Sequence, residues 1–76
     1  MAWLKLVAKQ GMVIRIQVEN VGAIYPWRQD ETSPDDDSWA NVLIQGQFIT
    51  VQGSPDLIQT LITKALAQKK AIELVN

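Results

Sequence analysis

The chain has 76 residues, of which 47% are apolar, and a formal net charge of −1 at pH 7, with neither cysteine nor histidine. This composition excludes disulfides, haem ligation and the usual zinc sites, and it removes the side chain that most often serves as a general base. A chain this short forms one domain with a thin core, which small proteins commonly reinforce by self-association.

The first part of the chain predicts an antiparallel β-hairpin. Apolar side chains alternate imperfectly over residues 3–9 and cleanly over residues 12–18. A period of two is typical of half-buried strands. Gln10 and Gly11 supply a turn signal between the two segments. A two-residue connection is typical of a tight hairpin, so the two strands are expected to pair directly.

A third, shorter strand is predicted over residues 21–25. Gly22 within it indicates a β-bulge, because glycine in a strand often marks an irregularity of the ladder. Pro26 is expected to end the strand, since proline has no backbone N–H to donate to a neighbouring strand.

An exposed acidic loop is predicted over residues 27–38. Five of the chain's eight acidic residues lie in residues 30–37, where no basic residue accompanies them. Like charges repel and the interspersed Pro, Ser and Thr favour turns, so this loop is expected to be solvated and mobile. The rest of the chain carries seven bases against three acids. That imbalance indicates either solubility alone or a mildly basic body that holds an anion or an acidic partner.

Two further strands, over residues 39–45 and 47–52, predict a second hairpin. Apolar residues alternate in both segments, and Gly46 between them supplies the turn. This hairpin follows the acidic loop directly.

A helix is predicted over residues 55–68. Ser54 suits the N-cap and Pro55 the first helical position, while Asp56 complements the helix dipole. Residues 71–76 alternate weakly and are expected to form a tail or an edge strand. One apolar stripe follows the helical period, namely Ile58, Leu61, Ile62, Ala65 and Leu66.

These elements predict one α+β domain spanning residues 1–76. We expect four or five antiparallel strands with one C-terminal helix packed on the sheet. The expected core consists of Leu4, Leu6, Ile14, Ile16, Val18, Ile24, Val42, Ile44, Ile49, Val51, Ile58, Leu61, Ile62 and Leu66.

The order of these signals resembles that of the small flagellar FlbD-like proteins. The resemblance is carried by residues 16–24, by the glycine-centred hairpin and by residues 48–62 with their Ser-Pro-Asp helix start, and it covers roughly residues 4–66 without the loop. It implies a strand-rich body and a terminal helix. The chain also resembles small β-rich proteins of phages and mobile elements, which implies an oligomeric inhibitor or ligand-sequestering protein.

The sequence offers few residues that could form a catalytic or metal site. No histidine or cysteine is present, and a solvated acidic run lacks the tuned environment that a catalytic acid needs. Residues 35–37 are all Asp, but they lack the alternating ligand spacing and central glycine of an EF-hand calcium loop. We therefore expect no enzyme, no metal ion and no cofactor.

The candidate ligand- or partner-binding residues are Trp27, Arg28, Trp39 and Arg15. Tryptophan is enriched in binding sites, where it stacks on planar groups or pairs with cations. Trp27 and Arg28 are adjacent and offer a plane and a positive charge. The alternative is that the tryptophans enlarge a thin core.

The function expected from the sequence is non-enzymatic binding by a small homo-oligomer. No leader peptide or membrane-spanning segment is visible, so we expect a cytoplasmic protein. One alternative is a phage-type inhibitor that sequesters a nucleotide-like ligand or blocks a host protein. The other is weak nucleic-acid binding through Lys5, Lys9 and Arg15, which the absence of a dense basic run disfavours.

Overall fold

The computed structural model describes residues 2–75, and the side chains of residues 2–69. Within that range, the elements are strands β1 (Trp3–Val7), β2 (Val13–Gln17), β3 (Val21–Trp27), β4 (Asp36–Ile44) and β5 (Gln47–Gln52), a 3-10 turn (Val18–Asn20) and helix α1 (Pro55–Val75). All paired strands are antiparallel. The predicted α+β class, with one C-terminal helix packed on a sheet, is therefore confirmed.

The strands form two sheets that meet just after β1. One sheet is the β1–β2 hairpin, and the other contains β3, β4 and β5 in that order. At the junction, Ala8 forms an antiparallel bridge with Val51 of β5. The backbone N–H of Lys9 donates to the carbonyl of Thr50 over 2.9 Å. These contacts hold Lys9 against the three-stranded sheet.

The connection between β1 and β2 is longer than the predicted two residues. β1 ends at Val7 and β2 begins at Val13. The N–H of Ala8 donates to the carbonyl of Met12 over 2.8 Å, and Gly11 has a φ of 97° that suits glycine. The predicted antiparallel pairing is confirmed, but the turn is wider than two residues, and Ala8 and Lys9 within it also bond to β5, a contact that hairpin periodicity does not reveal.

Strand β3 continues through Pro26 to Trp27, although the sequence predicted an end before the proline. β3 is an edge strand, and Pro26 lies opposite Ala40 of β4. An edge strand tolerates proline because alternate N–H groups point away from the neighbouring strand. The bulge predicted at Gly22 is confirmed by a register shift between Val21 and Ala23.

Strand β4 begins at Asp36, earlier than the predicted start at Trp39, so the acidic loop shortens to residues 28–35. Asp36 pairs with Trp27, and a second register shift separates this pair from the rest of the ladder. Gln45 and Gly46 both have positive φ, of 50° and 82°. Two such residues in succession are the requirement of a type I′ hairpin turn.

Helix α1 begins as predicted. The Ser54 hydroxyl accepts a hydrogen bond from the N–H of Leu57 over 3.1 Å, and Pro55 is the first helical residue. The Ser54 hydroxyl thus caps one of the N–H groups that have no partner within the helix.

The end of α1 lies well beyond the predicted residue 68. The helix takes up residues 71–75, for which the sequence predicted a tail or an edge strand, while Asn76 lies outside the described residues. After Pro55 the chain contains neither Gly nor Pro, and strong helix formers such as Ala, Leu, Lys and Gln dominate its last turns. Nothing in this segment therefore stops the helix.

The core lies between α1 and the inner faces of the two sheets. Each predicted core residue is buried or packs partly buried against the core, except Leu66, which is 40% exposed on the rim of a groove beyond Ile62. Three alanines were missed, because their small side chains add little to hydrophobic periodicity. The buried residues are Ala2, Leu6, Ala8, Ile16, Val18, Ala40, Val42, Val51, Ile58 and Ile62.

Candidate binding site

All five aromatic residues of the chain lie outside the core, and four of them lie on or beside the outer face of the three-stranded sheet. Ala40 and Val42 of β4 are buried, so the alternating neighbours Trp39 and Asn41 point to the opposite face. Among the described side chains, the core consists of Ala, Val, Leu and Ile alone. Aromatic side chains usually dominate a core. Their collection on the outer side of a sheet therefore indicates a role other than core packing.

Tyr25 and Phe48 form the more exposed end of this surface. Their ring centroids lie 5.5 Å apart with an interplanar angle of 68°, an edge-to-face contact. Tyr25 is 48% exposed and Phe48 59% exposed. Such a pair contributes about 0.5–1.5 kcal/mol beyond the area it buries. The two rings are therefore held in place before any ligand arrives.

Trp27 and Trp39 form the other end, beside the acidic loop. Their centroids are 6.2 Å apart and their planes meet at 69°. Both residues are half-buried. The Lys9 ammonium lies 5.1 Å from the centroid of Trp27 and 4.9 Å from that of Trp39. Both distances are within the range of cation–π attraction, so one cation binds two rings at once.

We call the surface formed by Tyr25, Trp27, Trp39 and Phe48 the aromatic face. Two polar residues lie between its ends. Asn41 and Thr50 are cross-strand partners, and the Thr50 hydroxyl donates to the Asn41 side-chain carbonyl over 2.7 Å. The aromatic face thus combines apolar rings at both ends with a polar centre, an arrangement that fits a ligand with both apolar and hydrogen-bonding groups.

The acidic loop has more internal structure than the sequence predicts. A single carboxylate oxygen of Asp30 accepts hydrogen bonds from the Thr32 hydroxyl (2.8 Å), the Thr32 N–H (2.9 Å) and the Ser33 hydroxyl (2.9 Å). These hydrogen bonds hold the pKa of Asp30 below its usual range, and the bond from the Thr32 hydroxyl has the largest effect. At the base of the loop, Arg28 Nε donates to Asp35 over 3.0 Å.

The four candidate residues from the sequence fall in three places. Trp27 and Trp39 come together on the aromatic face. Arg28 pairs with Asp35, so the cation on the tryptophan rings is Lys9 instead. Arg15 lies on the other sheet. The sequence therefore identified half of the aromatic face and a different cation.

Tyr25 and Phe48 were missed as site residues, and Lys9 was named only for the nucleic-acid alternative and not as a partner of the tryptophans. For the two aromatic residues a signal was present, because each directly neighbours a core position of its strand, Ile24 or Ile49, and strand side chains alternate between faces. For Lys9 no signal was available, since its place on the rings depends on the junction between the two sheets.

The outer face of the β1–β2 hairpin forms a second exposed surface. Lys5 lies directly opposite Arg15, and like charges in this position are destabilising. Trp3 is 57% exposed and Val13 53% exposed. Arg15 is therefore part of a small basic and apolar surface that is separate from the aromatic face.

The described residues contain no cluster of three or more potential metal ligands. Among the same residues, no helix is both long and apolar enough to cross a membrane. Comparison with protein-family models, with curated proteins and with solved structures gives no match to this chain. The resemblance to FlbD-like proteins and to phage proteins therefore stays a prediction.

Proposed function

We propose that this protein is a non-enzymatic binding protein and that the aromatic face is its binding site. The observation that carries the proposal is the placement of four aromatic side chains outside an all-aliphatic core, on or beside one outer sheet face. Tryptophan and tyrosine are the residues most enriched at binding hot spots. Exposed apolar surface of this kind marks interaction sites in proteins of known function.

The rigidity of the aromatic face also supports this proposal. Each ring is carried by a strand, and the rings contact one another in pairs. A ligand that binds there meets side chains that are already ordered, so less conformational entropy is lost on binding.

We further propose that the protein self-associates and that it is cytoplasmic, as expected from the sequence. Self-association is supported by the hairpin surface, where Trp3 and Val13 are more than half exposed. Its test is sedimentation velocity at micromolar concentration. A species larger than the 8.5 kDa chain supports the proposal, and a single species of that mass contradicts it.

Native mass spectrometry of protein purified from its host cells tests the binding site. We expect the wild-type chain to carry a bound ligand or partner that Trp27→Ala loses. Trp3→Ala is the matched control, because it removes an exposed tryptophan outside the aromatic face. Loss of the ligand in both variants or in neither contradicts the proposal. A thermal melt of each variant separates lost binding from lost folding.

A further inference from the structure

We infer that the aromatic face binds a basic segment of a partner protein, with a lysine or arginine side chain seated on Trp27 and Trp39 where Lys9 now lies. This inference rests on the proposed function, and it adds the chemical class of the partner. It comes from three observations: the geometry of Lys9 on the rings, the charges around them and the exposure of the neighbouring aromatic pair.

Lys9 shows that the two tryptophans accept an alkylammonium group. Its nitrogen lies about equally far from both rings, at 5.1 and 4.9 Å, although Lys9 belongs to the turn after β1 and the rings belong to β3 and β4. Arginine and lysine side chains are the usual partners of tryptophan in cation–π contacts. A partner cation would therefore make the contact that the chain itself already displays.

The acidic residues that lie between Trp27 and Trp39 in the chain favour a cation over an anion. Asp36 is the cross-strand partner of Trp27. Glu31 and Asp37 are exposed, and among the described residues neither carboxylate has a hydrogen bond or ion pair. Clustered carboxylates raise the local concentration of cations and speed their association. The same charges repel the phosphates of a nucleic acid.

The exposed pair, Tyr25 and Phe48, extends the site along the sheet. An isolated ammonium ion would use the tryptophans alone. A peptide segment can place an apolar side chain against Tyr25 and Phe48 and a polar backbone group near Asn41 and Thr50, which lie between the two ends. The chemistry of the whole face therefore fits a peptide better than a small cation.

Lys9 competes with such a partner. Its side chain is exposed, so its ammonium returns to water when it leaves the rings. A cation–π contact at an exposed site is weak, and we expect Lys9→Met to tighten binding of a basic peptide about two- to fivefold. If the aromatic face instead bound an anion or a nucleic acid, Lys9 would contribute attraction and the same substitution would weaken binding.

The test is a titration of the full chain labelled with nitrogen-15, followed through the indole N–H signals of its three tryptophans. The probes are a short lysine- and arginine-rich peptide, a peptide of equal length with glutamate at each basic position, and oligothymidine. Of the three probes, we expect only the basic peptide to shift the indole N–H signals of Trp27 and Trp39, and we expect the Trp3 signal not to move. Lys64→Met is the matched control for Lys9→Met, because it removes one exposed charge from α1, away from the rings.

The acidic residues provide a second measurement. The double variant Glu31→Gln and Asp37→Asn removes two charges without touching the Asp30 turn or the Arg28 pair. We expect it to weaken binding of the basic peptide and to flatten its dependence on salt, because screened charge attraction falls as ionic strength rises.

Three outcomes would overturn the inference: stronger binding of the glutamate peptide or of oligothymidine, weaker binding of the basic peptide to Lys9→Met, or no shift of Trp27 and Trp39 with any probe. The proposed function fails separately, when Trp27→Ala keeps the ligand found by native mass spectrometry. If Trp27→Ala loses the ligand and the basic peptide gives no response, the aromatic face remains the binding site but its partner is not a basic segment.

Discussion

The carboxylate of Glu19 accepts a hydrogen bond from Lys69 Nζ over 2.9 Å, joining the 3-10 turn to helix α1 across fifty residues of sequence. The same carboxylate accepts the backbone N–H of Ala2, at 3.2 Å to one oxygen and 3.0 Å to the other. Hydrogen bonding lowers the pKa of Glu19 from 4.5 to about 2, and the bond from Lys69 has the largest effect. One surface side chain thus links the 3-10 turn to the first described residue and to the C-terminal half of α1.

Glu19 predicts a specific loss of stability in acid. Its pKa is lower in the folded than in the unfolded chain, so the ionised carboxylate stabilises the fold above pH 4.5. That contribution is lost as the pH falls from 4.5 towards 2. We expect the difference in unfolding free energy between wild type and Glu19→Gln to be constant near neutrality and to shrink below pH 4.5. Urea titrations across this range measure it.

The control for that experiment is Glu31→Gln, which removes a carboxylate that has no hydrogen bond among the described residues. At neutral pH its unfolding free energy is expected to match that of the wild type, because no bond is lost. A Glu19→Gln difference that stays constant down to pH 2 would refute the stabilising role of Glu19.

Lys5 and Arg15 face each other across the β1–β2 hairpin, so replacing one of them with an acid is expected to stabilise the fold. Arg15→Glu places an acid directly opposite Lys5, replacing a repulsive cross-strand pair with an attractive one. We expect the unfolding free energy to rise by about 0.2–1 kcal/mol. Lys64→Glu, on the exposed face of α1, makes the same change in net charge and serves as the control. An equal gain in both variants would mean that net charge, and not the pair, is responsible.

Gly46 and Gly53 predict different costs for the same substitution. Both have positive φ, of 82° and 117°, so alanine is strained at either position by about 1–2 kcal/mol. A Cβ at Gly46 meets nothing within 4 Å. At Gly53 it would lie 3.3 Å from Ile58 Cδ1, and Ile58 is fully buried and cannot move away freely. We expect Gly53→Ala to cost about 2–3 kcal/mol in thermal or urea unfolding, and equal costs would contradict this.

Residues 29–34 of the acidic loop are expected to be dispensable for folding, whereas Arg28 and Asp35 at its base are kept. Replacing residues 29–34 with a short Gly-Ser linker keeps the Arg28–Asp35 pair and the Trp27–Asp36 register. We expect unchanged far-UV circular dichroism and a change in stability within about 0.5 kcal/mol. Extending the replacement through residue 37 removes part of β4 and should destabilise the protein measurably. If the shorter replacement already unfolds the chain, the loop is structural.

The fold was predictable from sequence where a local pattern determines it. Alternation placed the strands and the larger core residues but not the three buried alanines, and Ser54 with Pro55 placed the start of α1. Errors arose where a distant contact decides the outcome. Pro26 remains in a strand because β3 is an edge strand. The turn between β1 and β2 is wider than predicted, and its residues 8 and 9 also bond to β5.

The candidate site was predictable only in part for the same reason. Trp27 and Trp39 flank a loop, so their approach follows from a hairpin-like connection of β3 and β4. The cation on their rings comes from Lys9, whose position depends on the backbone bond between Lys9 and Thr50. Adjacency in sequence pointed to Arg28, and tertiary structure placed Lys9 there instead.

The all-aliphatic core has a consequence for spectroscopy. Indole emission usually reports burial, but here all three indoles lie outside the core, two of them beside an ammonium group. Intrinsic fluorescence should therefore respond to anything that displaces Lys9 or covers the rings. A fluorescence melt would chiefly report the surroundings of the rings outside the core. The aliphatic core contributes no fluorescence, so its unfolding has to be measured by a backbone signal such as far-UV circular dichroism.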